Sequence, residues 1–583
     1  MQYDIKTLFK TGFLSSLDYY FANTLSKISS ENNQIVKLSL ALASKTSRDG
    51  HVCLDITQLA DKSISLSDTF LDTNPASNPD SQTKFSFPAK DQWIKALKAS
   101  KLVGKDIKSP LVLDSDNKLY LARYFDYQQR LVKNILQRIK NAPPEIPALT
   151  LEKELNTSFM LLDQMSREEQ QGCLIQKNTL KEILTNNFFI ITGGPGTGKT
   201  YITDKIESIF KNLSKKEIPI KVINTAPTGK AASKLKNGIT IHRLLKIKPN
   251  SQISRKKRKV PIIADLVIID EASMIDISLM TKLLESIPLK SKVVIIGDQN
   301  QLGSIETGSV FADICRSKKL KNFISRLDYN FRSGGKKEID KLARAINFGD
   351  QSLIEDILIN AQSKKEQDLS FININNSNDL SSELENIIDK GYSPYFKEND
   401  ITLAHEKLKR FKILCAHRKH FSGTNNLNLI TEKLLQEHPI HDIKAFSTKS
   451  ILMINKNDYN KLLFNGDIGM VIEENHIKKV VFMNEDESQR SFNLSDLNNF
   501  EPAFAITVHK SQGSEFDHIL LILPPVSTNL LTKELLYTAI TRARKKVTIA
   551  GTIDVIKKAV ESHSKKESGI TKMLDKNICL NNE

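Results

Sequence analysis

Residues 188–200 read FFIITGGPGTGKT. A short apolar, β-branched run, too brief for a helix, passes directly into Gly193, Gly194, Pro195, Gly196, Thr197, Gly198, Lys199 and Thr200. The run suits a parallel strand buried on both faces. The glycine-rich stretch satisfies GxxxxGK[ST], the loop whose glycines let backbone N–H groups turn inward around phosphates. Lys199 adds a point charge, and the Thr200 hydroxyl can bind Mg²⁺. Ile202, Ile206, Ile209 and Leu213 then recur on one helical face. A helix starting there adds the positive field of its N-terminus. Strand, loop and helix together predict a nucleoside triphosphate site.

Similar runs recur on the C-terminal side of this one. KVIN (221–224) leads into TAPTGKAA, LVII (266–269) into DEASM, and VVII (293–296) into GDQNQLGS. A second set comprises FKILCAH (411–417), PAFAITVHKSQG (502–513), HILLIL (518–523) and KVTIAGT (546–552). Polar residues gathered after strand ends are where open α/β sheets bind ligands. The pattern predicts an α/β chain with two parallel-sheet domains. Asp270 is placed to hold Mg²⁺ through water, and Glu271 to polarise the attacking water. Gln301 reads either as a γ-phosphate sensor or as a polar loop residue. Arg332 in LDYNFRS and Arg542 in YTAITRAR read either as arginine fingers or as ordinary surface arginines, and spacing alone leaves all three open.

Composition bounds the function. A chain of 583 residues exceeds one hydrophobic core, and 40% apolar with 26% charged residues excludes wholesale disorder. No apolar stretch is long enough to span a membrane, and MQYDIKTLFKTGF lacks the apolar core of a signal peptide. Five cysteines, scattered and without CxxC spacing, argue against a disulfide framework, zinc ribbon or iron–sulfur cluster and fit a reducing cytoplasm. The net charge of +17 suits a polyanion such as nucleic acid, but 67 lysines against 17 arginines also fit a coding bias. The basic run Arg255–Lys259 reads first as a solvated patch.

The motifs GGPGTGKT, APTGKAA, DEASM, GDQNQLGSIETG, LDYNFRS, AITVHKSQGSEFDH and LYTAITRAR, in this order, resemble those of superfamily 1 helicases. TIHRLL (240–245), DEASMID (270–276), FNGDIG (464–469) and TVHKSQGSEFDH (507–518) are more specific and resemble the RecD family. GHVCL (50–54) and LYLARYFDYQQ (119–129) extend the likeness toward the start of the chain. The resemblance implies an ATP- and Mg²⁺-dependent DNA helicase moving 5′ to 3′, a subunit of a RecBCD-type enzyme that processes double-strand DNA ends for recombinational repair. It implies roles as well. Gln176 contacts adenine, Lys199 and Thr200 bind phosphate and Mg²⁺, Asp270 binds Mg²⁺ and Glu271 is the catalytic base. Gln301 senses the γ-phosphate, Arg332 and Arg542 reach the phosphates across a cleft, and Glu515 contacts ribose. Thr228, His242, Thr507, His509 and Lys510 line the single-strand path, although His509 also reads as a sheet-end histidine. Phe331-Arg332 stands where the family has Tyr-Arg, and CAHRKHFSGTNNLN (415–428) lacks the family's Gly-Pro-rich centre.

The expected layout is a mainly helical N-terminal partner-docking domain (1–115), a connection (116–165) and a first RecA-like domain (166–345). A second RecA-like domain (346–430 and 500–583) comes next, interrupted by a small SH3-like β-barrel (431–499) around the Asn465-Gly466 turn. Two short strands are expected around Asp116-Asn117, and a surface loop over 63–84. RecB-like and RecC-like chains are the implied partners in a heterotrimer, with the nuclease on the RecB-like chain, since this chain shows no nuclease constellation. The alternative is a free-standing RecD-like helicase, disfavoured because no Gly-x-Gly hairpin precedes Gly194. From another class comes an ATP-switched scaffold that does not move, which would leave Arg332, Thr507–Lys510 and Arg542 without a shared purpose.

Overall fold

The computed structural model describes residues 3–66, 84–141, 148–158, 165–212, 220–247, 261–332, 337–363, 368–374, 382–435, 446–458, 460–484, 488–563 and 566–576. Leu213, the run 255–259, Cys579 and most of the loop expected over 63–84 lie outside the described residues.

The first parallel sheet has six strands, in the order Ile324–Leu327, Phe188–Gly193, Lys292–Gly297, Leu266–Ile269, Val222–Ala226, Ile239–Thr240. Its central strands are almost wholly apolar because both faces are covered. Phe188, Ile190, Val267, Ile269, Val293 and Ile295 enter one core, with the helices Ala122–Lys140 and Ile277–Ser286. Phe189, Ile191, Leu266, Ile268, Val294 and Ile296 enter another, with the helices Arg167–Thr185 and Lys199–Asn212. The two-residue side-chain period thus divides each run evenly between two cores. Each such side chain, taken from water, contributes about 1.5–3 kcal/mol.

The helix Arg167–Thr185 is fixed at both ends. Ser166 opens it with a reciprocal cap, the Glu169 N–H donating to Ser166 Oγ and the Ser166 N–H to Glu169 Oε2. At its C-terminus the buried Lys292 ammonium donates to the carbonyls of Ile183 (2.7 Å), Leu184 (3.1 Å) and Asn186. Those carbonyls have no partner within the helix.

The second parallel sheet runs Leu369–Asn373, Ala543–Gly551, Phe516–Ile522, Phe411–Cys415, Ala505–Thr507. Helices Glu338–Phe348 and Lys533–Ile540 pack into its core. Between Phe411–Cys415 and Ala505–Thr507 the chain forms a five-stranded antiparallel sheet, ordered Gln489–Asn493, Ile477–Met483, Ile468–Glu474, Ile451–Ile454, Phe500–Pro502. Gly466, at φ +95°, makes the turn of FNGDIG.

The N-terminal region has its own core, centred on the fully buried Trp93, whose indole N–H donates to Ser39 Oγ at 2.7 Å. It combines helices Ser16–Ile28, Gln34–Arg48 and Lys90–Ala99 with a four-stranded sheet. Leu111–Leu113 and Lys118–Leu121 pair antiparallel about Asn117, at φ +59°. The segment Lys566–Asp575 ties this region to the first sheet. Lys118 Nζ donates to Glu567 Oε2 (3.0 Å) and Ser568 O (2.9 Å), Ser568 Oγ donates to Asp313 Oδ2 (2.6 Å), and Ile570 and Leu574 enter the core of the first sheet. Among the described residues no helix is long and apolar enough to cross a membrane.

Candidate functional site

The strand Phe188–Gly193 delivers the chain into its loop, where Gly196 (φ +78°) and Gly198 (φ +87°) take left-handed conformations that L side chains avoid. Space is short as well. A Cβ on Gly196 would fall 2.2 Å from Asn330 Oδ1, and one on Gly198 2.2 Å from Gln176 Nε2. Lys199 begins the helix Lys199–Asn212 and folds back, donating to the carbonyls of Gly193 (2.6 Å) and Gly194 (2.7 Å). Its ammonium is therefore held over the loop's concave side, where a phosphate binds a helix N-terminus.

Gln176, buried on the helix Arg167–Thr185, donates from Nε2 to Thr197 O at 3.1 Å. The Phe331 N–H donates to Gly196 O (2.9 Å), and its ring meets Tyr329 edge to face at 4.8 Å. Gly172 lets both rings approach, since a Cβ there would lie 2.9 Å from each. Gln176 and the two rings thus form one flank of the loop, an amide beside apolar faces suited to a planar base.

Asp270 and Glu271 sit past the end of the strand Leu266–Ile269. The Asp270 N–H donates to Thr225 O (2.9 Å), extending the ladder, and the Glu271 N–H donates to Asp270 Oδ1 (2.8 Å) with Glu271 at φ +49°. Burial first, then the adjacent Glu271 charge, pushes the Asp270 carboxyl up to about 6. Two crowded carboxylates in that state gain from a divalent cation. Oxygen donors of this kind, with the Thr200 hydroxyl, match the hard-ligand preference of Mg²⁺, which usually takes only one or two protein carboxylates.

Past the next strand, Asp298 is buried and accepts from Gln301 Nε2 (3.0 Å) and from the Tyr537 hydroxyl (3.2 Å). Burial raises its carboxyl above the usual range, opposed by the charge of Lys199. Tyr537 belongs to the helix Lys533–Ile540 on the second sheet, and a Cβ on Gly194 would lie 2.9 Å from its hydroxyl. The second lobe therefore touches the phosphate loop directly. Sequence reasoning named neither Asp298 nor Tyr537 as site residues. The available signal was an acid directly after a buried strand and a tyrosine inside the stretch that carries Arg542.

The arginines lie around the same cleft. Arg332 Nη2 donates to both carboxylate oxygens of Glu515 (3.1 and 3.0 Å), and Arg544 Nε donates to Glu515 Oε2 (3.2 Å). Burial raises the Glu515 carboxyl, but the charge and hydrogen bond of Arg332, with the charges of Lys234 and Arg542, together outweigh it and hold the group below its ordinary range. Arg332 and Glu515, expected on phosphate and ribose, are here paired with each other. Arg542 is buried, with Nη1 donating to Ser514 O (3.3 Å) and Nε to Thr538 O (3.4 Å).

The residues expected along a DNA path are more dispersed. Thr228 caps the helix Gly229–Ser233, its Oγ1 accepting from the Ala231 N–H at 3.2 Å. It faces Gly513 of the second lobe, 3.8 Å from where a Cβ would stand, and Lys234 Nζ donates to Gly513 O (2.7 Å). Thr507 precedes the short 3₁₀ turn Val508–Ser511 that carries His509 and Lys510. Burial lowers the His509 imidazole, and Lys566 lowers it further. Lys510 is engaged by Glu501 and Asn455 of the antiparallel insertion. His242 lies on the helix Ile241–Leu244, lowered by burial and partly restored by Asp276.

Family models match residues 10–120 as the N-terminal domain of RecBCD enzyme subunit RecD, 176–307 as an AAA domain and 502–550 as a UvrD-like helicase C-terminal domain. RecBCD enzyme subunit RecD of Mycolicibacterium smegmatis is 27% identical, covering 96% of this chain and 97% of that one. RecBCD enzyme subunit RecD of Buchnera aphidicola is 29% identical over 94% and 96%. The ATP-dependent RecD2 DNA helicase of Deinococcus radiodurans, 27% identical, matches over 64% of this chain and 48% of its own length. The chain is thus similar to RecD subunits over nearly its whole length, and its first 120 residues include a match to the model of their N-terminal domain.

Proposed function

We propose that the chain is an ATP-driven DNA translocase moving 5′ to 3′ on one strand, acting as a subunit of a RecBCD-type helicase-nuclease on double-strand DNA ends. The observation that carries this reading is the contact of the second lobe with the phosphate loop, the Tyr537 hydroxyl lying against Gly194 while bonded to Asp298. A site built from both lobes can couple its nucleotide state to the position of one lobe against the other.

In this reading Lys199 leaves the Gly193 and Gly194 carbonyls to neutralise the β- and γ-phosphates. Arg332 exchanges Glu515 for phosphate, which frees the Glu515 carboxylate for the ribose. Gln176 and Phe331 hold the base. Glu271 accepts a proton from water as its oxygen attacks the γ-phosphorus and the bond to the β–γ bridging oxygen breaks. Gln301 and Arg542 stabilise charge on the transferring group. Thr200 and Asp270 would hold Mg²⁺, which supplies charge neutralisation at the phosphates when bound. Thr228, His242, Thr507, His509 and Lys510 line the strand's path, and the insertion over 431–499 forms a small SH3-like barrel beside it. The N-terminal domain docks on a RecC-like chain, and the nuclease belongs to a RecB-like chain.

Strand displacement on 5′- and 3′-tailed duplexes, with and without RecB-like and RecC-like chains, tests this. Unwinding of the 5′-tailed duplex alone, enhanced by the partners, is expected. Unwinding of only the 3′-tailed duplex would overturn the polarity, and full activity of the lone chain would favour a free-standing helicase.

A further inference from the structure

The loop after the strand Lys292–Gly297 starts in one lobe and is anchored in the other. Asp298 is fixed by its strand. Leu302, four residues on, is 4% exposed and lies in the hydrophobic core of the second sheet, where every other member comes from residues 339–560. Both backbone groups of Leu302 are taken by second-lobe side chains. Its N–H donates to Thr538 Oγ1 at 2.8 Å, and its carbonyl accepts from Gln512 Nε2 at 3.0 Å. Thr538 is fully buried and Gln512 nearly so. A buried backbone group without a partner costs about 1–3 kcal/mol, so the link persists when the lobes move.

Gln301 is the residue immediately before this anchor. Its side chain donates to Asp298 Oδ2, the oxygen that also accepts from Tyr537. We infer that Leu302 is the pivot through which the second lobe aims Gln301, a positioning residue that turns lobe position into sensing of the γ-phosphate. The inference rests on the reading of the cleft as an ATPase site. Rotation of the second lobe carries Leu302, bends the segment from Asp298 to Leu302 and swings the Gln301 amide. With Leu302 released, Gln301 stays on Asp298 whatever the lobes do.

The experiment compares Leu302→Ala and Thr538→Val with the conservative Leu302→Met and Thr538→Ser. It measures affinities for fluorescent mant-ADP and mant-AMP-PNP, and steady-state ATPase on poly-dT. The disruptive variants are expected to bind mant-ADP within about twofold of wild type while the AMP-PNP preference falls about tenfold. The KM for ATP is expected to rise by about the same factor, with kcat falling by no more than that, because the γ-phosphate contact is lost already in the bound state. Met and Ser restore both. An unchanged AMP-PNP preference in folded Leu302→Ala and Thr538→Val would overturn the inference, as would a wild type without that preference. Should Leu302→Ala not fold, Thr538→Val alone decides, since it removes one acceptor at constant shape. Failure of the ATPase reading is distinct: wild type would bind both nucleotides without DNA-stimulated turnover, and the affinity ratios would still judge Leu302.

Discussion

Gly198 carries two constraints at one position, a φ of +87° and a Gln176 amide where a side chain would begin. Left-handed backbone costs a β-carbon about 1–2 kcal/mol before any clash. Gly198→Ala should therefore weaken mant-ATP binding about tenfold or more without unfolding the protein, and unaltered affinity would show that the loop does not receive phosphate. Glu271 separates binding from chemistry. Glu271→Gln keeps the shape but removes the base, a contribution typically about 10²–10⁴ in rate. Retained ATP binding with single-turnover hydrolysis lowered by that factor is expected, and wild-type hydrolysis would exclude Glu271 as the base.

Two strands each bury a lysine, for different ends. Lys292 donates to three carbonyls at the C-terminus of a helix, while burial brings it down to about 7. Lys412, fully buried in Phe411–Cys415, donates to Ala503 O and lies between the Tyr392 and Phe516 rings. Burial, with a smaller push from Lys230, brings Lys412 down to about 7. Below that pH folded and unfolded chains both carry the charge and the fold bears its burial. Above it the folded lysine sheds its proton while the unfolded one keeps it, so stability rises with pH until the ordinary lysine range is reached. Thermal melts of wild type and Lys412→Met at pH 7 and pH 10 measure this. The wild type should gain relative to the methionine variant on going to pH 10, and parallel pH profiles would refute it.

For the molecule as a whole, the link between lobes is not mainly electrostatic. The Arg332–Glu515 pair is partly exposed, and such pairs contribute about 0–1 kcal/mol, weak enough for a nucleotide to break. The durable links are Leu302 in the second core and the C-terminal segment, whose Ile570 and Leu574 are fully buried in the first. Burying those two side chains contributes about 3–6 kcal/mol as an upper figure. Ending the chain at residue 565 should lower the first melting transition by about 5 °C or more. Because the same segment pairs with Lys118, Asp116 and Gln128, the N-terminal region should also become protease-sensitive. An unchanged melt with an intact N-terminal region would show that the segment is dispensable.

Much of this was legible in the chain before any fold was seen. FFIIT, LVII and VVII suit strands covered on both sides, because short, β-branched apolar runs that end in turn residues fit a buried parallel sheet. The glycines and Lys199 declare a phosphate loop, because few local geometries need that pattern. Asp298, Tyr537 and Leu302 were not legible, since an acid, a tyrosine and a leucine carry no motif of their own. Their meaning lies in who meets whom across two sheets folded from segments more than two hundred residues apart, as with Leu302 and Thr538. Local chemistry is written in sequence spacing, whereas the meeting of two lobes is set by packing, and only packing brought Tyr537 against Gly194 and Arg332 against Glu515.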